Sequence, residues 1–166
     1  MKARESVTVV KIGGNVVDNP AALKAFIADF AKLKGKKILV HGGGKEATRL
    51  SAELDIPTVM IDGRRVTDAA TIDVVTMVYA GLINKRIVAA LQAAGCDAIG
   101  LAGCDGNAIT ATKRPAEPVD YGFVGDISLE GINTAFISSL LRKGVTPVFC
   151  AIMHDGKGTL LNCNAD

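Results

Sequence analysis

The stretch VHGGGK, at residues 40–45, determines how the rest of the sequence is interpreted. It follows a short apolar run, 37–40, and precedes residues 45–54, which have a composition typical of a helix. Glycines let backbone N–H groups approach a ligand without a Cβ in the way, and a helix start adds unpaired N–H donors and a partial positive charge. The stretch therefore predicts an anion site between a strand and a helix, or, as the simpler alternative, an ordinary turn.

A second strand-like run ends in the same way. The sequence VTVVKI at residues 7–12 is followed by Gly13 and Gly14, and it carries Lys11 near its end. In open parallel α/β sheets, ligands bind at the carboxyl ends of the strands. Two strands with glycine-rich ends therefore predict one crevice for an anionic ligand. Lys11 taken alone is equally typical of a solvated lysine at a strand end.

The composition favours a sheet that is covered by helices on both faces. Apolar residues make up 49% of the 166 residues, aromatic residues only 4%, and there is no tryptophan. Strand-like and helix-like runs also alternate along the chain. These features predict the α/β class, specifically a three-layer αβα sandwich with a mainly parallel sheet, in one domain or one lobe of a larger protein.

The expected elements follow from local patterns. Asn19 and Pro20 suit the N-cap and first position of a helix that ends at Gly35. Thr67 or Asp68 is expected to cap a long apolar helix that runs to about residue 94, and its surplus apolar surface suggests a subunit interface. Further strands are expected at 96–101, 108–112, 119–127, 145–152 and 159–161, a hairpin at 57–66, and a helix at 132–142.

Charge and hydropathy argue against two classes of partner. The net charge is only +2, and there is no basic block with interleaved aromatic residues, so nucleic acid is not expected as a partner. No apolar run reaches the roughly 18 residues that span a membrane. The N-terminus shows no apolar segment of the signal-peptide kind. We therefore expect a cytoplasmic protein that does not bind a membrane.

The cysteines and histidines show no metal-binding spacing. Cys96, Cys104, Cys150 and Cys163 include no C-x-x-C pair, and none lies beside a histidine at ligand spacing. We expect buried free thiols and no metal site. His41, beside the glycines, is interpreted as a packed or hydrogen-bonding loop residue, with ligand contact as the less favoured alternative.

Five short motifs occur in order along the sequence. They are KIGGN (11–15), VHGGG (40–44), GRRVT (63–67), GFVGDI (122–127) and NCNAD (162–166). Together they resemble the amino acid kinase family, and the resemblance covers the whole chain. RVT and NxNAD favour the members that phosphorylate N-acetyl-L-glutamate in arginine biosynthesis over those that act on carbamate, aspartate or uridylate. An ordered set of five motifs is far more specific than one glycine loop.

The resemblance implies a phosphotransferase. Its members transfer the γ-phosphoryl group of ATP, which is bound with Mg²⁺, to the γ-carboxylate of an N-acylglutamate. The acyl group, acetyl or succinyl, is left open. By resemblance, Lys11 stabilises the charge on the transferring phosphoryl group and Asp166 orients catalytic lysines.

The resemblance also implies a set of binding residues. They are Gly13 and Gly14 for phosphate oxygens, Gly43 and Gly44 for the reacting carboxylate, and Arg65 and Asn162 for the rest of the substrate. A guanidinium suits a carboxylate because it donates two parallel hydrogen bonds. The simpler alternatives are that either Arg64 or Arg65 is a surface charge, and that Asn162 and Asp166 are ordinary helix N-caps.

Family members continue well beyond the NxNAD motif. We therefore expect residues 1–166 to form a single N-terminal acylglutamate-binding lobe, truncated before a nucleotide-binding lobe that holds most of the ATP site and a second lysine. The polar run 162–166, where a covering helix is expected to begin, supports this interpretation. A homodimer or higher homo-oligomer is expected. The alternatives are a non-catalytic module that binds N-acyl amino acids or dicarboxylates, and another kinase of the same family.

Overall fold

The computed structural model describes residues 6–166, and the expectation about the N-terminus before Ser6 lies outside them. In chain order the elements are β1 (Val7–Ile12), α1 (Gly14–Val17), α2 (Pro20–Lys32), β2 (Lys36–His41), α3 (Gly44–Glu53), β3 (Met60–Ile61), β4 (Arg64–Arg65), α4 (Ala69–Thr76), a π-helical segment (Met77–Ile83), α5 (Asn84–Ala93), β5 (Ala98–Leu101), β6 (Thr112–Lys113), β7 (Val124–Asp126), α6 (Thr134–Arg142), β8 (Thr146–Cys150), β9 (Ile152–His154) and β10 (Leu160–Cys163).

A four-stranded parallel sheet forms the centre, in the order β1-β2-β8-β5. Successive residues of β8 face opposite sides of it. Val148 packs with residues of α2 and α5 on one face, and Phe149 packs with residues of α6 on the other. The sheet is thus covered by helices on both faces, which confirms the predicted αβα architecture with a mainly parallel sheet.

The register of this sheet brings the two glycine loops together. Ile12 of β1 lies beside His41 of β2, and His41 lies beside Cys150 of β8. The carboxyl ends of three neighbouring strands therefore meet along one edge. The segments that follow β1 and β2, which carry the glycines, start from this edge.

A second four-stranded sheet lies beside the first, in the order β6-β7-β10-β9. It is mixed, because β7 and β10 are parallel while β9 is antiparallel to β10. The prediction of a single strand at 145–152 is wrong. The chain leaves the parallel sheet after Cys150, bends at Ala151 and enters the second sheet at Ile152. Every residue from 146 to 153 is buried, so the apolar pattern gives no sign of the break.

Two other predicted strands are much shorter than expected. The stretch 108–112 contributes only β6, at its end, and 119–127 contributes only β7. Ile109 and Thr110 form single bridges, to Ile132 and His154, and Gly122 bridges Thr67. The backbone groups of these stretches are therefore satisfied without a regular ladder. The short helix α1, which begins at Gly14, was not predicted.

The long helix runs from Ala69 to Ala93 and directly follows Asp68. The Asp68 carboxylate accepts a hydrogen bond from the Thr71 backbone N–H at 2.8 Å, so Asp68 rather than Thr67 is the N-cap. The predicted helix is confirmed in extent, but its central seven residues are π-helical. Among residues 6–166 it is the one helix long and apolar enough to cross a membrane by length and composition. The core helix of a protein that does not enter a membrane meets the same test, so the length and composition of this helix do not indicate a membrane span.

A buried lysine joins α2 to β2. Lys37 is only 7% exposed, and its ammonium group donates hydrogen bonds to the carbonyl oxygens of Phe30, Ala31 and Leu33 at 2.8, 3.0 and 2.9 Å. The last carbonyls of a helix have no partner within it. A cation at this end also complements the helix dipole. Lys37 thus caps α2 from the neighbouring strand.

Candidate functional site

One crevice at the carboxyl edge of the parallel sheet, about 470 Å³ in volume, holds all the residues predicted for the site. The structure brings together segments that lie far apart in the sequence: the loops after β1 and β2, the β3–β4 hairpin, and the end of β10. The predicted residues that line it are Lys11, Gly13, Gly14, Gly43, Gly44, Arg65, Asn162 and Asp166.

Lys11 and Asp166 form an ion pair in this crevice. The Lys11 Nζ lies 2.5 Å from an Asp166 carboxylate oxygen, although 155 positions separate the two residues. The lysine side chain is 36% exposed and the aspartate 68%. Pairs this exposed contribute little to stability, so what the contact shows is that the ammonium group and the carboxylate meet in the crevice. A Cβ built on Gly13 would lie 3.8 Å from that Nζ, so the ammonium group adjoins the first glycine loop.

The second glycine loop lies against the π-helical segment. A Cβ on Gly43 would lie 2.2 Å from Ile83 Cδ1 and 3.0 Å from Tyr79 Cδ1, so this close approach requires glycine. Within the described part of the chain, neither the Gly43 nor the Gly44 N–H donates a hydrogen bond to a protein acceptor. Both glycines line the crevice, so these two donors remain for an anion.

Arg65 is the functional candidate of the arginine pair. Its side chain is buried, whereas Arg64 is exposed, so the alternation along β4 resolves which of the two is the surface charge. The Arg65 guanidinium donates to the Gly44 carbonyl at 2.9 Å, to the Thr48 hydroxyl at 2.7 Å and to the Thr58 hydroxyl at 3.3 Å. These bonds use one N–H group of Nη1 and both of Nη2, and the Tyr79 phenol also lies within hydrogen-bonding reach of the guanidinium.

Thr67 links Arg65 to Asn162. The Asn162 amide nitrogen donates to the Thr67 hydroxyl at 3.1 Å, and that hydroxyl donates to the Arg65 carbonyl at 3.2 Å. Because Asn162 lies within β10, the alternative that it caps a helix is wrong. With its nitrogen held by Thr67, the Asn162 carbonyl oxygen remains available as an acceptor. The role of Thr67 was missed in the sequence, where it was considered only as a helix cap.

Two further crevice residues were missed. Tyr79 comes from the π-helical segment, and burial raises the pKa of its phenol although the nearby Arg65 guanidinium opposes this. Arg114 follows β6; its Nε lies 3.0 Å from an Asp126 carboxylate oxygen, and its hydrogen bonds lower the pKa of that carboxyl. The sequence offered only weak signals for these two residues. Tyr79 lies on an apolar helical face and Arg114 in a basic turn, and neither pattern is specific to a binding site.

The histidine and cysteine interpretations also have structural outcomes. His41 is fully buried and hydrogen-bonded, which confirms the packed role; burial lowers the pKa of its imidazole. All four cysteines are free, with Cys104 exposed and the other three buried. Burial raises the pKa of Cys150 to about 11 and that of Cys163 to about 12. Among residues 6–166, no group of three His, Cys, Asp or Glu side chains is arranged to hold a metal ion.

Relatives with known names share about half of the residues of this sequence. The chain is 53% identical over 163 residues to an acetylglutamate kinase of Phocaeicola vulgatus, which covers 98% of this chain and 63% of that protein. It is 52% identical to an acetylglutamate kinase of Bacteroides thetaiotaomicron and 53% identical to one of Cytophaga hutchinsonii, covering 98% of this chain in both cases and 63% and 61% of those proteins. The chain thus spans less than two thirds of the length of these relatives.

Solved structures agree on the fold. The crystal structure of smu.665 from Streptococcus mutans matches with a TM-score of 0.79 and 27% identity, over 96% of this chain and 64% of that one. An N-acetylglutamate synthase from Neisseria gonorrhoeae matches with a TM-score of 0.79, over 96% of this chain and 37% of that one; at 23% identity it supports the fold alone. The family model for the amino acid kinases matches residues 6–166. This match covers nearly the whole chain, so it shows that the chain belongs to the amino acid kinase family.

Proposed function

We propose that this chain is the substrate-binding part of an acetylglutamate kinase of arginine biosynthesis. In the proposed reaction, a carboxylate oxygen of N-acetyl-L-glutamate attacks the γ-phosphorus of ATP. The bond from that phosphorus to the bridging oxygen breaks, giving ADP and N-acetyl-L-glutamyl 5-phosphate. The 53% identity to the Phocaeicola vulgatus acetylglutamate kinase supports the substrate assignment. Its partial coverage of that protein supports the interpretation as an N-terminal lobe.

The observation that carries the proposal is the crevice itself. It gathers two glycine loops with Lys11 and Arg65, so it presents backbone N–H donors and cations to a ligand with more than one anionic group. A doubly charged acylglutamate next to the phosphates of ATP is such a ligand. In phosphoryl transfer the protein mainly positions the two reactants and offsets charge on the moving group. A cationic crevice with free N–H donors suits this task.

The proposed roles follow from position in the crevice. Gly43 and Gly44 donate N–H groups to the reacting carboxylate, while Arg65 binds the other substrate carboxylate through its positive charge and a guanidinium N–H. Asn162 offers its carbonyl oxygen to the substrate amide N–H.

Lys11 offsets negative charge on the transferring phosphoryl group, and Asp166 holds the lysine ammonium in place through their ion pair. Gly13 and Gly14 bind phosphate oxygens. Mg²⁺ enters this scheme with ATP and lowers the charge on its phosphates. We place most of the nucleotide site outside residues 1–166, and we further propose a cytoplasmic homodimer or higher homo-oligomer.

Calorimetric titration of the 166-residue chain tests the proposal. We expect N-acetyl-L-glutamate to bind and ATP with Mg²⁺ to bind weakly or not at all. N-succinyl-L-glutamate in parallel decides which acyl group is preferred. Tight binding of ATP without the acylglutamate would refute the assignment of this crevice to the acyl substrate.

Two arginines, one inside the crevice and one outside it, give a matched pair of variants. Arg65→Ala is expected to weaken N-acetyl-L-glutamate binding by about 1–3 kcal/mol, because it removes charged hydrogen bonds. Arg142→Ala, an exposed residue of α6 that does not line the crevice, is expected to leave the dissociation constant unchanged, whereas Arg64 lines the crevice and is not a suitable control. Thermal melting of both variants separates lost binding from lost folding. Equal dissociation constants for the two variants would remove Arg65 from the site.

A further inference from the structure

His41 is a buried titratable residue to which the proposed function gives no substrate contact. It is the last residue of β2, it is 0% exposed, and it lies directly before the glycine loop. Its Nδ1 lies 2.8 Å from the Gly42 carbonyl oxygen, and its Nε2 lies 3.0 Å from Asn84 Nδ2. Both ring nitrogens therefore have a partner, one in the loop and one in the long helix.

These partners fix the protonation of the ring. A carbonyl oxygen only accepts hydrogen bonds, so the proton must be on Nδ1. The other nitrogen, Nε2, then accepts from the Asn84 amide. Burial, and to a smaller extent the nearby Lys85 ammonium, lower the pKa of His41, which agrees with a neutral ring.

Asn84 is itself held firmly. Its Nδ2 also lies 2.9 Å from the Val148 carbonyl oxygen in β8, and its Oδ1 accepts from Lys85 Nζ at 3.1 Å. A Cβ on Gly100 would lie 1.9 Å from that Oδ1, so the space for the amide depends on a glycine in β5. The helix, two strands and the loop thus meet at one small polar cluster within an apolar core.

The hydrogen bond to Gly42 has a consequence for the next residue. In a trans peptide unit the C=O and the following N–H point in opposite directions. When His41 holds the Gly42 carbonyl toward the interior, the Gly43 N–H points the other way, to the crevice that Gly43 lines. Glycine peptides reorient easily because no Cβ restricts them. Without such an anchor, this peptide has little to keep it in one orientation.

We propose that His41, held by Asn84, is a positioning residue that fixes the Gly42–Gly43 peptide with its N–H directed at an anion in the crevice. The identity of that anion, the reacting carboxylate of an N-acylglutamate, rests on the proposed function. The orientation of the peptide does not, so the two are tested separately.

Two substitutions of His41 separate its two hydrogen bonds. Asparagine carries its amide nitrogen where the imidazole has Nδ1, so His41→Asn retains a donor for the Gly42 carbonyl. Glutamine carries its amide where the imidazole has Nε2, so His41→Gln reaches Asn84 instead. We expect His41→Asn to bind N-acetyl-L-glutamate within about threefold of the unmodified chain, and His41→Gln to bind about tenfold or more weakly. If His41→Gln does not fold, His41→Ala, which also removes the donor to the Gly42 carbonyl, takes its place with the same expected loss.

The orientation of the peptide is measured without any ligand. The protein is labelled with ¹⁵N-glycine, and the residual dipolar coupling of the Gly43 N–H bond then reports the direction of this bond. We expect the coupling to match the unmodified chain in His41→Asn and to change in His41→Gln. Equal couplings in all three proteins, or a change in His41→Asn alone, would overturn the positioning role. If the coupling behaves as expected but the unmodified chain does not bind N-acetyl-L-glutamate, the proposed function fails and the positioning role stands.

Discussion

Replacing Gly43 by alanine tests how closely the glycine loop packs on the long helix. The added methyl group would lie 2.2 Å from Ile83 Cδ1 and 3.0 Å from Tyr79 Cδ1. Carbon atoms in contact normally stay about 3.5–4.0 Å apart, so the Ile83 methyl group has to move by more than an ångström. Ile83 is only 5% exposed and Tyr79 only 6%, so most of each side chain is packed against its neighbours and resists displacement. Overpacking of this kind costs about 1–3 kcal/mol.

Urea unfolding measures this cost, and two further variants identify its source. Gly42→Ala is the control, because no heavy atom lies within 4 Å of its added Cβ, and we expect a change below about 0.5 kcal/mol. Ile83→Val removes the clashing Cδ1 and costs about 0.5–1.5 kcal/mol on its own. In the double variant the two effects should not add. We expect it to be about 1 kcal/mol more stable than their sum.

Two results would refute this reasoning. If Gly43→Ala is as stable as the unmodified chain, the loop does not approach the helix as closely as the structure has it. If the double variant shows the full sum of the two losses, the clash with Ile83 is not the cause. In that case the Tyr79 ring, 3.0 Å from the added methyl group, would be the remaining obstacle.

Three further outcomes are expected. Lys37→Met should lower the free energy of unfolding, measured by urea titration, by about 1.5–3 kcal/mol, because three carbonyls at the end of α2 lose a charged donor. Lys34 is exposed, so Lys34→Met should change the same free energy by less than about 0.5 kcal/mol. Because the pKa of His41 is lowered in the folded chain, its contribution to stability is present above pH 6.5 and is lost as the pH falls below that value. The free energy of unfolding should therefore decline below pH 6.5, and the decline should be smaller in His41→Asn. Ellman's reagent should modify one thiol of the native chain, Cys104, and all four after unfolding; rapid reaction of a second thiol would contradict the burial of the other three.

The sequence predicted which segments meet in the crevice better than it predicted the strands around it. Both glycine loops follow short β-branched or apolar runs, and parallel pairing then places their ends side by side, as the Ile12–His41 register does. The long helix was recognisable from its apolar spacing, and its limits were close because Asp68 and Gly95 are strong boundary residues. These signals are local in the sequence, so they can be recognised without knowledge of the tertiary contacts.

The failures share one physical cause. The break at Ala151 lies in a run that is buried on both faces, where strand and bend have the same apolar composition. The π-helical segment places Tyr79 and Ile83 against the Gly43 loop, which is a long-range contact. The choice between Arg64 and Arg65 depended in the same way on which side of a two-residue strand faces the protein. Each of these features is decided by packing partners that lie far away in the sequence.

The order of the parallel sheet has a consequence for how the chain reaches its native state. β8 lies between β2 and β5, yet it is the last of these strands to be synthesised. Until residues 146–150 are available, β2 and β5 have no common neighbour, and each presents an unpaired edge to other chains. Pairing at such long sequence separation is slow. Chains interrupted before Thr146 should therefore aggregate, and a molecular chaperone should benefit this protein most in the interval between the synthesis of β5 and that of β8.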